Sequence, residues 1–264
     1  MRRRAYLGTL VTAAAVAGCS TSDDGDADPD STGGETNSPP PTSEPTPTPE
    51  PEPEPEPEIV VGQLEMKSGL QNEAYEAMVA APTISNEGDA PSARVNITID
   101  WLDGDRNYLA SSQTQILTLG PGQTWLPRVS SRSAVEDLGE VAGYNVSVGE
   151  VTAAEELNPD GIFVSDSELR TSDQEVLVQG DVTNERDNQV QYLLAVVKVL
   201  NAEGAVIGTG VWNETALDAG STSSFEVSPD TMARNGDINS VEILLSTSKL
   251  WVCVEFSHTN RRLC

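Results

Sequence analysis

From Arg94 to Trp101 polar and apolar side chains alternate without a break: Val95, Ile97, Ile99 and Trp101 against Arg94, Asn96, Thr98 and Asp100. Successive side chains of an extended chain point to opposite faces, so a period of two predicts a strand with one face in a core and one in water. Tyr144, Val146 and Val148, and later Val241, Ile243 and Leu245, predict two more strands of this kind. Turns fall where small and Asx residues gather, at Asp103-Gly104-Asp105, Gly120-Pro121-Gly122, Asn201-Ala202-Glu203-Gly204 and Asp218-Ala219-Gly220. Ser133 to Leu138 is the one stretch that predicts a helical turn.

The pattern occurs twice. Ile84-Ser85-Asn86-Glu87 returns 98 positions later as Val182-Thr183-Asn184-Glu185. At the same displacement Val95, Ile97, Ile99 and Trp101 fall on Leu193, Ala195, Val197 and Val199, and Leu119 and Gly122 on Leu217 and Gly220. The openings, Ile59-Val60-Val61 and Ile162-Phe163-Val164, match with a small length difference. Repetition at this period divides the chain into two similar modules. Short strands with frequent turns in each predict an all-β chain of two tandem immunoglobulin-like β-sandwich domains, over 59–156 and 157–264, the second with a C-terminal extension. The linkage at Leu157-Asn158-Pro159 is short, which would allow the two to pack as a rigid rod without requiring it.

At these residues the sequence resembles the FxLYD domain, a module of prokaryotic surface lipoproteins. The motif falls on Ile99-Asp100-Trp101-Leu102-Asp103 and on Val197-Lys198-Val199-Leu200-Asn201, keeping the apolar pattern and the turn-forming last residue but neither the phenylalanine nor the tyrosine. The resemblance spans both repeats. It implies an immunoglobulin-like fold at the cell surface and brings no catalytic residues.

Residues 1–18 read as a lipoprotein signal peptide. Arg2, Arg3 and Arg4 precede an apolar run from Leu7 to Ala17, too short for the ~20 residues of a permanent membrane span. Val16-Ala17-Gly18-Cys19 resembles a lipobox, so Cys19 is the expected lipidation site. Its thiol would become a thioether carrying two acyl or alkyl chains, enough for a stable anchor. Arg3-Arg4-Ala5-Tyr6-Leu7 is similar to a twin-arginine signal, which would carry the chain out already folded. Residues 19–58 are expected to form a disordered, acidic, proline-rich stalk, ending in the alternating run Pro49 to Glu58. Proline at every second position favours an extended polyproline chain, and neighbouring glutamates repel, so at ~3.1 Å per residue the stalk could reach roughly 120 Å.

Charge and chemistry then narrow the function. The chain has 42 acidic and 15 basic residues, a formal net charge of −27. That balance repels nucleic acid and anionic headgroups; it resembles the composition of proteins from salt-loving archaea, where acidic surfaces keep proteins in solution. Nucleophilic catalysis usually needs a histidine base. The single one, His258, lies in the polar tail Ser257-His258-Thr259-Asn260, and no serine elbow, phosphate loop or metalloprotease pair occurs. No enzyme, no cofactor and no nucleic-acid partner are expected. Cys253 and Cys264 are expected to form a disulfide in an exported chain; a metal site with His258 between them is the alternative.

Asp103, Asp105 and Asn107 place oxygen ligands at alternating positions, a weak calcium candidate against the plainer reading of a turn. Asn96, Asn145 and Asn213 open N-glycosylation sequons, the first two on the outward faces of their strands. Trp101 has the phase of a core residue, Trp125 shares the phase of Val129 and is expected in the core or at its rim, and the phase of Trp212 is ambiguous. Together these features predict a lipid-anchored protein on the extracellular face of the cell membrane, displaying two modules to an unknown surface protein or glycan or organising the envelope. The alternative is a solute- or carbohydrate-binding accessory lipoprotein of a transport system.

Overall fold

The computed structural model describes residues 54–68, 78–155, 157–172, 175–232 and 234–248, all within one compact unit, Glu52–Cys264. Among the described residues the regular structure is all β: thirteen strands and three short 3₁₀ turns. The first repeat holds β1 (Ile59–Ser68), β2 (Met78–Asn86), β3 (Val95–Leu102), β4 (Tyr108–Ile116), β5 (Thr124–Trp125), β6 (Val129–Ser130) and β7 (Gly143–Val148). The second holds β8 (Ile162–Thr171), β9 (Val176–Asn184), β10 (Val190–Leu200), β11 (Val206–Leu217), β12 (Thr222–Val227) and β13 (Ser240–Ser246).

Each repeat is a sandwich, as the alternation requires. In the first, β1 pairs with β2 and β2 with β5 and β6; facing them is the sheet β4-β3-β7. Val95, Ile97, Ile99 and Trp101 point between the layers with Ala80, Ile84, Ile116 and Leu119. Trp101 is fully buried, gives its indole N–H to Ser112 Oγ at 2.9 Å and tilts against Tyr144, so the polar end of the ring is satisfied inside the core. In the second repeat β8-β9-β12 faces β11-β10-β13 around Val178, Val182, Leu193, Ala195, Val197 and Phe225. Trp125 is buried, and Trp212 is half-buried against Phe225 on the inner side of β11.

The repeat extends to individual hydrogen bonds. Asn86 is fully buried; its amide donates to the carbonyls of Ala90 and Leu119, and its Oδ1 accepts from the N–H groups of Glu58 and Gly88. Asn184 makes the equivalent set, to Asn188, Leu217 and Asp218 and from Arg186. In each repeat one asparagine thus ties the turn that follows it to the chain at or just beyond the end of a strand in the facing sheet, giving backbone carbonyls there a buried donor. Gly122 and Gly220 donate to the backbone oxygens of these asparagines, and both have positive φ, 66° and 68°.

Two expectations change. Ser133 to Leu138 is not one helical turn. Two 3₁₀ turns bracket it, Ser131–Ser133 and Leu138–Glu140, because Ser130 and Asp137 each turn the chain locally by accepting a backbone N–H two residues on. At the predicted end of the stalk, the Glu56 and Glu58 carbonyls accept from Asp89 and Glu87, so both residues are already bonded to the first sandwich.

Candidate functional site

The feature that sets this molecule apart from two independent sandwiches is the joint between them. Trp125 of β5 bridges Val206 of β11 in parallel, and Leu126 N–H donates to the Val206 carbonyl at 2.9 Å. The β1-β2-β5 sheet of the first repeat thereby continues into β11-β10-β13 of the second. Val206 and Leu200 reach into the core of the first repeat.

Strand β10 explains how. Its run Val190 to Val199 is buried at every position except Gln191, on both faces. Leu193, Ala195, Val197 and Val199 face inward; Tyr192, Leu194 and Val196 face outward and pack with Leu117 of the first repeat and with Ala154 and Leu157 of the linker. The signal was legible, since Tyr192-Leu193-Leu194-Ala195-Val196-Val197 is an unbroken apolar run, the mark of a strand covered on both sides. Reading the repeat through its alternating anchors alone misses it. Asn158, at the linker's end, caps the free edge of β13 by exchanging two hydrogen bonds with Leu245.

One outward position of β10 carries a charge. Lys198 is fully buried, and its ammonium donates to Gln123 Oε1 of the first repeat at 2.8 Å. It pairs with Glu242 Oε2 of β13 at 3.3 Å, and Gln123 Nε2 closes the triangle by donating to the same oxygen at 2.9 Å. Burial pushes the Lys198 pKa down while the Glu242 carboxylate pulls it back up. A second cation, Arg234, is nearly buried and donates to the carbonyls of Thr231, Leu126 and Ile207, so it holds both repeats at the β5–β11 junction. Burial, with Arg128 nearby, lowers its pKa to about 10.

The residues singled out in the sequence are placed as follows. Cys19, Cys253, Cys264, His258 and Trp251 lie outside the described residues. Asp103 accepts from the N–H groups of Asp105 and Asn107, and from the Asn107 side-chain amide at 2.9 Å. These bonds hold its carboxyl below the usual range. Its oxygens are thus committed to N–H donors within the turn. Asn201 repeats this turn with Glu203 and Ala205, using an amide oxygen instead of a carboxylate, so the geometry needs no cation. Among the described residues no group of three or more His, Cys, Asp or Glu side chains is arranged to hold a metal. Asn96, Asn145 and Asn213 are all exposed.

On the outer face of β8-β9-β12 lies a shallow dip of about 330 Å³, lined by Asp166, Gln179, Asp181, Ser224 and Glu226. Two of its three carboxylates are occupied across the strands, Asp181 by Ser224 and Glu226 by Gln179, each at 2.6 Å. Among the described residues no helix is long and apolar enough to cross a membrane. No family model matches the chain, and no curated protein matches it.

Proposed function

We propose that this chain is a non-catalytic lipoprotein, anchored through Cys19 on the outer face of the cell membrane, that displays its two sandwiches as a fixed pair. The observation that carries this reading is the joint. A Lys198–Glu242–Gln123 triangle built on a buried ammonium, the Arg234 clamp and an apolar patch around Leu194 and Val196 couple two modules that independent folding would leave on a free tether. Such coupling suits presentation of a surface in one orientation to a neighbouring surface protein or glycan. The resemblance to FxLYD modules and the signal peptide ending in a lipobox support the same reading. The alternative, an accessory subunit that binds a solute, would be served by a concave apolar pocket; the dip on the second repeat is shallow and lined by three carboxylates, two of them hydrogen-bonded across the strands.

The test combines fractionation with chemical cross-linking on intact cells, for the native chain beside Cys19→Ser. Membrane association should be lost in the variant, and a discrete cross-linked partner should appear with the anchored form alone. Retention of Cys19→Ser in the membrane fraction would overturn the anchor.

A further inference from the structure

The joint exposes an inequality between equivalent surfaces. On the outer face of β11-β10-β13, the positions that meet the first repeat and the linker, or lie directly beside that contact, include Leu194, Val196, Lys198, Glu242 and Leu244, beside Tyr192 and Val211. The strand registers of the two repeats correspond: Lys198 stands opposite Glu242 and Val196 opposite Leu244, as Asp100 stands opposite Asn145 and Thr98 opposite Ser147. Carried back to the first repeat, Leu194 and Val196 become Asn96 and Thr98, while Glu242 and Leu244 become Asn145 and Ser147. These four residues are the asparagines and hydroxyls of two sequons, Asn96-Ile97-Thr98 and Asn145-Val146-Ser147. Because the acceptor and hydroxyl residues are two apart on a strand, each pair projects from one face, here the outward one. Asn96 and Asn145 are exposed, and no hydrogen bond of either side chain is found within the described residues.

We infer that Asn96 and Asn145 carry N-linked glycans, and that the sugars close the face of the first repeat that serves in the second as the inter-repeat contact. In the reaction each Nδ2 attacks the anomeric carbon of a lipid-linked sugar donor. A C–N bond forms, the C–O bond to the donor's phosphate breaks, the lipid phosphate leaves, and the amide gives up one proton to the transferase. A terminal module of a stacked array needs a polar outer face to stay in solution. The first repeat meets that need with hydroxyls, amides and two glycan acceptors at the positions where an apolar contact would otherwise build.

The inference rests on export, and the experiment separates the two. Intact cells are treated with a membrane-impermeant label, the labelled chain is purified, and the peptides containing Asn96 and Asn145 are weighed by mass spectrometry. Both peptides should carry a sugar mass, lost at the matching site in Thr98→Val and Ser147→Ala, which leave each asparagine in place. A labelled chain with either peptide at its bare mass overturns the inference while export stands. A chain that takes up no label shows that the export reading itself fails, and the inference falls with it.

Discussion

At the outer face of its second sheet the first repeat offers Asn96, Thr98 and Asp100 to its surroundings, where the second repeat has Leu194, Val196 and Lys198 covered. Behind that face the two repeats are nearly interchangeable. Each has a buried asparagine with four side-chain hydrogen bonds, a positive-φ glycine donating back to it, and a hairpin turn closed by an Asx side chain. The difference teaches that the inner pattern and the turns specify this sandwich, while the outer face is free to diverge. Three outward substitutions on the central strand separate a surface in water from a buried contact. Asp100 lies beside Ser111, which donates to it at 2.6 Å; at the equivalent position Lys198 needs a carboxylate and an amide brought from two other segments.

The strongest way to break the equivalence is at its shared centre. Asn86→Ala and Asn184→Ala each remove four hydrogen bonds in or beside buried backbone; at about 1 kcal/mol each, each variant should lose about 4 kcal/mol of stability. Urea unfolding of both variants checks this, and a large loss in only one would show that the repeats rest on different foundations. Next comes the divergent face. Glu242→Ala leaves the buried Lys198 ammonium without its carboxylate and should cost about 3 kcal/mol, at the lower end for a broken buried pair because the Glu242 side chain is 36% exposed. Asn145→Ala, its register counterpart, should change stability by less than about 0.5 kcal/mol in chain produced without sugar.

A smaller effect distinguishes how each repeat receives the chain that enters it. A methyl group on Gly88 would stand 2.2 Å from the Glu56 carbonyl oxygen and 2.4 Å from Glu58 N, so Gly88→Ala should cost about 2 kcal/mol and release residues 56–58 to faster amide exchange. The second repeat has Arg186 at this place, its guanidinium bonded to the Asp160 carbonyl, and no such restriction. The smallest effect lies in the hairpin turns. Arg106 has φ 66° where the second repeat has Gly204 at 81°. Arg106→Gly relieves a left-handed residue and should stabilise by about 0.5 kcal/mol in thermal unfolding, after the entropy that glycine loses is set against the relief.

Much of the fold was legible because strand alternation and turn chemistry are local. Val95 to Trp101 could bury only one side, and Asn86 and Asn184 marked the same turn twice. The local signals for Ser133 to Leu138 were weaker, and side-chain capping by Ser130 and Asp137 settled that segment differently. The candidate site was less legible. Gln123, Lys198 and Glu242 come from three segments, and nothing in the spacing of these residues announces that they meet. The unbroken apolar run of β10 was the one local hint that a second face needed covering.

The sequence by itself determined that the chain is all β, that it repeats, which faces are inward, and where it turns, since these follow from side-chain period and backbone conformational preference between near neighbours. Only the tertiary structure decided which outer face is buried and by what. It joined Trp125 to Val206, set Lys198 beneath Gln123, and left the sequon face of the first repeat open. Contacts between residues 75 or more positions apart depend on how whole sheets pack, and packing reads the sum of many side chains rather than the order of a few.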